Sequence, residues 1–290
     1  MNKVYVKLPK TGLGNKMLVW AKGMLFAKIN GLPLVISSWW GFHWGALIRR
    51  ERKTRLYLGY FKETGLLERL VTRCQLCFRK IIPEPAIGHI VEEDSAKTIF
   101  FFNKVITNED LFYGIRDHEE IIRQELYAML NPEIKKRLDH YPVPVIGVHI
   151  RRGDFKIGNQ TTPLEYFINA INLIRQTVDE NAPVTVFTDA DKTEISELMK
   201  LPNIVIAENK PDILDILLLS KSKIMVLSRS STFGYWAAFL SDALVIRPHN
   251  DWQKKIKDQS VGSNYREILW DYSDDGSIKS FRENVETIWG

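Results

Sequence analysis

The sequence of 290 residues has little cysteine, since Cys74 and Cys77 are the only two. A small secreted fold held by disulfides would use more, so this usage favours a reducing compartment. The CxxC spacing occurs in zinc sites, but a closed zinc site needs four ligands, and no second Cys or His pair stands at a suitable spacing. We therefore interpret the two cysteines as small apolar residues on a helix.

Long apolar runs are also lacking. No window approaches the roughly 20 apolar residues that a helix needs to span a bilayer. Residues 1–16 lack the continuous apolar stretch and the small-residue cleavage site of a signal peptide. We expect a cytoplasmic protein, which could still lie on the inner face of the cell membrane.

Two nucleotide-binding fingerprints are missing as well. No GxxxxGK[ST] P-loop is present, and after the turn Gly12-Leu13-Gly14-Asn15 the third glycine of GxGxxG is replaced by Met17. The turn lies between a predicted strand, residues 4–8, and a predicted helix, residues 16–30. Alone it is a weak signal, but a glycine turn that faces a second domain across a cleft would suit a bound sugar nucleotide.

What the chain does have is apolar sequence and positive charge. Hydrophobic residues make up 45% of a chain that exceeds the usual size of one domain, so we expect two domains. A net charge of +5 and a pI of about 9.0 suit polyanionic partners such as nucleic acid, anionic lipid or phosphate-bearing ligands. No nucleic-acid readout motif occurs, so we expect no nucleic-acid partner.

Basic residues are concentrated between Arg49 and Lys80, where ten of them stand against three acidic residues, with leucines and aromatic residues interleaved. A basic, amphipathic stretch of this kind can lie on an anionic membrane surface. A pair of solvated, charged helices packed on the domain gives the same pattern, so both interpretations stay open.

The order of predicted elements defines the fold class. The chain begins strand–turn–helix–strand, and the prolines of Tyr141–Pro144 mark a boundary between domains 1–141 and 142–290. The second half predicts strands at 145–150, 184–187, 204–207, 224–227 and 243–246, and helices at 163–178, 192–200, 211–220 and 232–240. This alternation predicts an α/β protein of two Rossmann-like domains, with a doubly wound parallel sheet in the C-terminal half. Ligands of such sheets bind beyond the carboxyl ends of the strands.

The first strand-end loop carries the strongest chemical signal. A hydrophobic strand runs through His149 directly into Arg151, Arg152, Gly153 and Asp154. Two adjacent guanidinium groups near a core are costly without anionic partners. Because side chains alternate along a strand, His149 and Arg151 should share one face and Arg152 the other. One arginine can grip a pyrophosphate and the other can pair with an acid. An internal network of ion pairs is the alternative.

The second loop, residues 184–191, ends in Asp189 and Asp191. A carboxylate at a strand end can accept hydrogen bonds from a guanine edge or a ribose. The same two residues also form a DxD tripeptide, which in one class of sugar-transferring enzyme holds a divalent ion. Helix capping by either aspartate is a third possibility.

The third loop, residues 228–234, places several hydroxyl groups before a predicted helix. A helix N-terminus is a ready anion site, because its backbone N–H groups are free and its dipole is positive there. Simple N-capping by Ser230 or Ser231 would use the same residues, and both roles can hold at once.

Four segments in order resemble the motifs of the bacterial α-1,2-fucosyltransferases and their α-1,6 and protein O-fucosyltransferase relatives. His149–Phe155 resembles the HxRRGD(Y) motif, residues 186–189 resemble the FSDD motif, and residues 228–240 resemble a serine-rich turn followed by SWWAAxL. Gly12–Asn15 with Met17 is similar to the GLGNQM opening. Any one match is modest evidence, whereas the ordered set is specific.

The resemblance implies a GT-B-like fold and an inverting transfer of fucose from GDP-β-L-fucose to an oligosaccharide acceptor, without a metal or other cofactor. It implies that Arg151 contacts the β-phosphate, and the proximity of Asp154 in sequence makes that residue our candidate general base. The remaining implied substrate-binding residues are Gly14 and Asn15 in the opening motif, His149 and Arg152 around the nucleotide, Asp189 at the guanine, and Ser230, Ser231, Thr232 and Phe233 along the diphosphate and fucose.

Several positions depart from the family pattern. Lys16 replaces a glutamine, Leu18-Val19-Trp20 replaces FQY, Ala190 replaces the second aspartate of FSDD, and Gly234-Tyr235 replaces Ser-Trp. The exact deoxysugar and linkage therefore stay open. We expect α-1,2 transfer to galactose of a lipid-linked O-antigen or capsule unit, as in lipopolysaccharide biosynthesis. The alternatives are transfer of another GDP-deoxyhexose and a non-catalytic protein that binds a GDP-sugar or glycan.

Overall fold

The computed structural model describes residues 1–41, 56–89, 97–105, 110–153, 161–207, 210–258 and 263–289. Asp154 and the first part of the basic stretch, residues 49–55, lie outside these described residues. The chain divides into two compact units, Met1–Lys135 and Lys136–Gly290. Each unit contains its own parallel sheet.

The first unit has four strands in its described part, and all of them pair in parallel. Their spatial order is β2-β1-β4-β3. The strands are β1 (Lys3–Val6), β2 (Leu34–Ile36), β3 (Lys80–Pro83) and β4 (Thr98–Phe102). The helices are α1 (Leu13–Ile29), α2 (Leu66–Gln75), α3 (Glu119–Met129) and α4 (Pro132–Asp139), which spans the division between the units, and a 3₁₀ turn covers Arg116–His118.

Helix α1 is buried along most of its length, including Lys16 and Lys22, so it is covered by protein on nearly every side and is not amphipathic. Gly23 sets its distance from the sheet. A Cβ atom at this position would come within 2.2 Å of Val6 Cγ2, so the missing side chain lets α1 pack closely on β1.

The second unit has six described strands, again all parallel, in the order β10-β9-β8-β5-β6-β7. They are β5 (Ile146–Ile150), β6 (Val184–Thr188), β7 (Ile204–Ile206), β8 (Ile224–Leu227), β9 (Leu244–Pro248) and β10 (Arg266–Trp270). The helices are α5 (Leu164–Thr177), α6 (Asp212–Leu219), α7 (Thr232–Phe239) and α8 (Asp275–Trp289). This is the dinucleotide-binding order, with the chain reversing direction across the sheet between β5 and β8.

Strand β5 is buried on both faces. Its residues Ile146, Val148 and Ile150 join a core formed with residues of α5 and α8. On the other face Gly147 lies so close to Leu219 and Ser222 that a Cβ atom would fall 2.6 and 2.2 Å from their side chains. His149 and Arg151 follow Gly147 in the alternation and therefore begin on that second face.

The structure confirms the α/β class and the parallel sheets. Strands β3 and β10 and helix α8 were not predicted. β3 and β10 are edge strands with partly exposed residues, so they lack the continuous apolar signal of the central strands.

Two local predictions were wrong. The helix expected at residues 192–200 is two 3₁₀ turns, Lys192–Ile195 and Leu198–Lys200. Only Ile195 and Leu198 are fully buried in that segment, which leaves little apolar surface to stabilise a continuous helix. In the first unit, Gly14 and Asn15 lie inside the first turn of α1, because the helix already begins at Leu13 after Gly12 as its N-cap.

Candidate functional site

The predicted residues of the second unit gather at the carboxyl ends of β5, β6 and β8, beside the point where the strand order reverses. Ser228, which follows β8, joins this loop to β5. Its backbone N–H donates to the His149 carbonyl at 3.0 Å, and its hydroxyl accepts from the Arg151 N–H at 2.9 Å and donates to the His149 carbonyl at 3.1 Å. The two loops are therefore fixed to each other.

Arg151 forms a salt bridge with Asp189, the residue that follows β6. Arg151 Nη1 lies 2.6 Å from Asp189 Oδ2, and about a quarter of each side chain is exposed. The other carboxylate oxygen, Oδ1, accepts the Arg152 backbone N–H at 2.8 Å. A Cβ atom on Gly153 would lie 2.4 Å from Asp189 Oδ2, so glycine is required for this approach. Asp189 thus fixes the loop after β5 and holds the guanidinium group of Arg151 in place.

Arg152 points into the protein and is buried. Its Nη1 donates to the Thr162 carbonyl at 2.6 Å, and the Thr162 hydroxyl accepts the Arg229 backbone N–H at 3.0 Å. Burial lowers the pKa of Arg152, although the charges of Glu194 and Asp189 oppose that shift. Arg152 therefore supports the loops, while Arg151 remains partly open to solvent. The expected alternative partner, Asp154, lies outside the described residues.

His149 is buried, and its ring stacks on Phe233 with centroids 5.0 Å apart and an angle of 15°. Burial, together with the nearby Arg151 charge as the smaller cause, lowers the pKa of His149 to about 3. The ring is neutral at physiological pH. Its Nδ1 has no hydrogen-bond partner among the described residues and lies against Gly234, where a Cβ atom would be 3.0 Å away. His149 orients the start of α7 through packing.

The N-terminus of α7 opens at the same edge of the sheet. Ser231 is its N-cap residue, and its side chain makes no capping hydrogen bond. Simple N-capping by Ser231 is therefore not what the structure shows. Helix α7 begins at Thr232 and Phe233, and the first backbone N–H groups of a helix carry a partial positive charge. Together with Arg151, these groups are the candidate anion site of the second unit.

A buried polar network, absent from our sequence predictions, supports the serine loop. Ser230 has a left-handed φ of 61°. Its N–H donates to the Tyr235 hydroxyl at 2.6 Å and to Asp251 Oδ1 at 3.1 Å, and the Tyr235 hydroxyl donates to the same oxygen at 2.5 Å. Asp251 pairs with Arg247 at 2.7 Å, and Arg247 also pairs with Glu267.

The network continues to Tyr265, whose hydroxyl donates to Glu267 at 2.7 Å. Burial raises the pKa values of both Tyr235 and Tyr265, with the adjacent carboxylates acting in the same direction. One sequence signal pointed here. Arg247 interrupts the apolar strand β9, and a charge inside a buried strand requires a partner.

The DxD interpretation assigned one role to Asp189 and Asp191, but the structure gives them separate partners. Asp189 is held by two arginine residues, as described above. Asp191 begins the 3₁₀ turn Lys192–Ile195, and its N–H donates to Glu194 Oε2 at 2.8 Å. Within the described parts of the chain, no group of three or more His, Cys, Asp or Glu side chains is placed to hold a metal ion.

Gly14 and Asn15 belong to the first unit, where they form part of the first turn of α1. Within the second unit the structure brings together His149, Arg151, Arg152, Asp189 and Ser230–Phe233. An arginine beside a helix N-terminus, at the reversal point of a doubly wound sheet, is typical of α/β proteins that bind phosphate-bearing nucleotides.

The family follows from a sequence comparison. The model of glycosyl transferase family 11 matches residues 92–272, which span most of the second unit and part of the first. The chain therefore belongs to glycosyl transferase family 11, a fucosyltransferase family, and the predicted resemblance is confirmed. Among proteins with curated functions, none matches the sequence significantly.

Solved structures share the fold. The fucosyltransferase NodZ from Bradyrhizobium is 18% identical, covers 95% of this chain and 96% of its own, and has a TM-score of 0.54. A structure of NodZ α-1,6-fucosyltransferase soaked with GDP-fucose gives 18% identity, coverage of 83% and 93%, and a TM-score of 0.52. A NodZ structure co-crystallised with GDP is 19% identical, covers 86% of this chain and 96% of its own, and has a TM-score of 0.50. The GT-B-like α/β class is confirmed.

Proposed function

We propose that this protein transfers L-fucose from GDP-β-L-fucose to a hydroxyl group of a glycan acceptor, with inversion at the anomeric carbon and without a metal ion. The C-terminal domain, residues 142–290, binds the donor, and the N-terminal domain, residues 1–141, takes the acceptor. Membership of glycosyl transferase family 11 supports this proposal. The ligands of NodZ, GDP-fucose in one structure and GDP in another, support the same donor.

One observation carries the proposal. The salt bridge with Asp189 holds Arg151 at the edge of the sheet where helix α7 begins without a side-chain cap. As GDP leaves, negative charge grows on its β-phosphate while the sugar gains oxocarbenium character. A preorganised guanidinium group and the helix N-terminus stabilise that charge without having to reorganise. Arg151 is therefore our proposed catalytic residue.

The other residues have supporting roles in the proposal. His149 and Arg152 shape the nucleotide site, and the carboxylate of Asp189 holds Arg151 while its remaining lone pairs accept from the guanine edge. The segment Ser230–Phe233 lines the diphosphate and the fucose, and Gly14 and Asn15 contact substrate from the first unit. Asp154 is the proposed general base, on its position in the motif alone.

The acceptor in this proposal is a galactose residue that receives fucose at its 2-hydroxyl group, in a lipid-linked O-antigen or capsule unit. Its support comes from the α-1,2 character of the motif family, from the expected cytoplasmic compartment and from the basic stretch. Linkage analysis of the product tests this part separately from the donor.

Release of GDP from GDP-fucose, measured with a panel of galactosides, tests the reaction itself. Arg151→Ala should lower kcat by about 10² to 10³, the usual cost of losing one charge-stabilising group, and should change the free energy of unfolding by about 1 kcal/mol or less because the ion pair is partly exposed. Arg282→Ala, an exposed arginine on α8, is the matched control. Near-normal turnover by Arg151→Ala would disprove the phosphate role.

Two further measurements, of the metal requirement and of the donor, separate this proposal from its alternatives. Loss of transfer in EDTA with recovery in Mn²⁺ would replace the metal-free mechanism with metal binding by Asp189 and Asp191. Turnover of a different GDP-deoxyhexose would change the donor, and binding of GDP-fucose without GDP release would identify a non-catalytic sugar-nucleotide protein.

We further propose that the described part of the basic stretch lies on an anionic membrane surface. Helix α2 and the turn after it expose an apolar face, with Leu67 76% and Phe78 89% exposed, and Arg69, Arg73 and Arg79 nearby. The exposed apolar residues are Leu66, Leu67, Leu70, Val71 and Phe78. Apolar side chains flanked by arginines suit insertion between anionic headgroups. Among the described helices, none has the length and apolarity to cross a bilayer.

Vesicle sedimentation tests the membrane proposal. The protein should sediment with vesicles that contain phosphatidylglycerol and not with phosphatidylcholine alone, and Leu67→Glu with Phe78→Glu should abolish sedimentation. Val205→Glu changes an apolar residue that is 63% exposed in the second unit, and it should bind normally. Equal binding of all three proteins to both vesicle types would contradict the proposal.

A further inference from the structure

A pocket of about 560 Å³ lies in the first unit, where the chain leaves the carboxyl ends of β1, β2 and β4. Lys7 follows β1, Ser37 follows β2 and Asn103 follows β4, and all three residues line it. This is the edge at which parallel sheets bind ligands. None of the predicted donor-site residues of the second unit lines this pocket.

The pocket is positively charged. Lys7, Lys10, Lys16 and Arg73 line it, and among its described lining residues there is no Asp or Glu. Lys7, Lys10 and Arg73 are exposed. Two acids contact lining residues without lining the pocket themselves. Glu63 accepts the Ser38 hydroxyl at 3.1 Å and forms a salt bridge with Arg69, and Glu84 accepts the Asn103 backbone N–H at 2.6 Å. The cations of the pocket therefore have capacity for an external anion.

Lys16 adds a buried charge to this surface. It is 3% exposed, its ammonium group donates to the Trp39 carbonyl at 2.8 Å, and it lies 5.0 Å from the centre of the Tyr57 ring. Burial lowers its pKa to about 8, and the charge of Glu63 only partly opposes this. An anion in the pocket would offset the cost of that buried charge. Lys16 is also a position where the sequence departs from the family pattern, which has a neutral glutamine.

The pocket also offers an apolar surface. Trp40, 52% exposed, lines it beside the cations, and an exposed indole can cover the C–H face of a sugar ring. A cationic wall with an aromatic platform fits a saccharide that carries an acidic group. We propose that this pocket binds the acceptor through an anionic group on it, either a phosphate or a sugar carboxylate. The identification of this ligand as the acceptor rests on the proposed function. Binding of the ligand to the pocket can be measured without turnover.

Helix α2 favours the phosphate as the source of the anion. It carries Arg73 of the pocket and the exposed Leu67 of the proposed membrane face. A sugar attached through phosphate to a membrane lipid would present its anion next to such a helix. A carboxylate on the glycan would need no membrane, so the two sources differ in their predicted ligands.

Ligand binding in the presence of saturating GDP tests the inference, because GDP keeps anionic ligands out of the donor site. The probes are galactose 1-phosphate, galacturonic acid and methyl β-galactoside, followed by ligand-observed NMR titration. At least one anionic probe should bind about tenfold more tightly than the neutral one, the size expected for charge-assisted hydrogen bonds. A preference for galactose 1-phosphate identifies the phosphate source, and a preference for galacturonic acid identifies the sugar carboxylate.

The variant Lys7→Gln with Lys10→Gln should remove that preference and leave the neutral probe unchanged, and Lys16→Gln should reduce it. Lys97→Gln is the matched control, because Lys97 is exposed and precedes the amino end of β4. Equal binding of all three probes, or a preference that survives in the double variant, would overturn the inference. GDP release from GDP-fucose is measured in parallel, so its absence counts against the proposed function without affecting the binding result.

Discussion

The two units place their charged groups at equivalent edges of their sheets but hold them in different ways. In the second unit, Arg151 and Arg152 both have protein partners, Asp189 and the Thr162 carbonyl. In the first unit, Lys7 and Lys10 extend into solvent, and no ion pair holds either one within the described part of the chain. A fixed guanidinium group suits a ligand group that never changes, such as a diphosphate. Flexible lysines suit acceptors whose shape differs.

Lys16 in the first unit and His149 in the second are both buried bases, but they differ in charge at neutral pH. Burial lowers the pKa of Lys16 to about 8 and that of His149 to about 3. At neutral pH Lys16 is therefore mainly a buried cation, whereas His149 is a neutral ring. Of these two side chains, only Lys16 can attract an anion by its own charge.

The largest expected effect comes from breaking the fixed partner of Arg151. Asp189→Asn removes the ion pair with Arg151, but the amide oxygen of the new asparagine can still accept the Arg152 N–H. The loop should therefore keep its conformation, while the guanidinium group of Arg151 should no longer be held in a fixed orientation. We expect kcat/KM for GDP-fucose to fall about 10²-fold, since displaced catalytic groups lose this much.

Asp191→Asn is the control for that experiment, because Asp191 lies two residues away and is the N-cap residue of a 3₁₀ turn. It should change kcat/KM by less than about twofold, as a surface substitution normally does. Equal and severe losses in both variants would instead favour a metal held by the two carboxylates.

The next effect concerns acid stability. Since burial lowers the folded-state pKa of His149 to about 3, the unfolded chain binds more protons at this residue between that value and about 6.5. Stability is thus lost as pH falls through this window. We expect the free energy of unfolding in urea to fall by about 2 kcal/mol from pH 7 to pH 5 on account of this residue. His149→Gln should remove that part of the loss, and His140→Gln, at an exposed site, should retain it.

A smaller effect tests whether the buried network positions the serine loop. Tyr235→Phe removes the hydroxyl that joins the Ser230 N–H to Asp251. We expect a loss of about 1 to 2 kcal/mol in unfolding free energy, together with a several-fold rise in KM for GDP-fucose. Tyr265→Phe removes a hydroxyl at the other end of the network and should cost similar stability with no change in KM. The same KM for GDP-fucose in both variants would mean that the network stabilises the fold and does not position the serine loop.

The smallest effect concerns the close contact between Gly234 and the ring of His149. A side chain at Gly234 would approach Nδ1 of His149 to 3.0 Å. Gly234→Ser restores the residue of the family pattern and can donate a hydrogen bond to this nitrogen, whereas Gly234→Ala only crowds it. We expect thermal unfolding to show Gly234→Ser as more stable than Gly234→Ala by about 1 kcal/mol. The opposite order would mean that the serine hydroxyl does not reach Nδ1, since a hydroxyl can donate to a bare Nδ1 or accept from a protonated one.

Sequence patterns predicted the central strands of the second unit closely, because a strand buried on both faces is a continuous apolar run. Strand β8, Ile224–Leu227, has the predicted bounds. Edge strands such as β10, Arg266–Trp270, carry mixed polarity and were missed for that reason. The alternation along β5 likewise predicted that His149 and Arg152 would lie on different faces, and their separate partners agree with this.

The sequence could not show which groups share a partner. Asp189 was considered as a guanine reader, a metal ligand or a cap, and its contact with Arg151 joins residues that are distant along the chain. Asp251, Arg247 and Glu267 were not identified at all. Hydrophobic periodicity describes each element locally, and contacts between loops depend on the order of strands across the sheet.

By itself, the sequence determined the alternation of strands and helices, the family, and the placement of Arg151 and Arg152 directly after a buried strand. These follow from residue type and local spacing. The tertiary structure alone decided that Arg152 turns inward while Arg151 stays partly open, that Asp189 holds Arg151, and that Lys16 lies in a basic pocket of the first unit. Strand order and packing set those distances, and charges interact according to distance and burial, not according to separation along the chain.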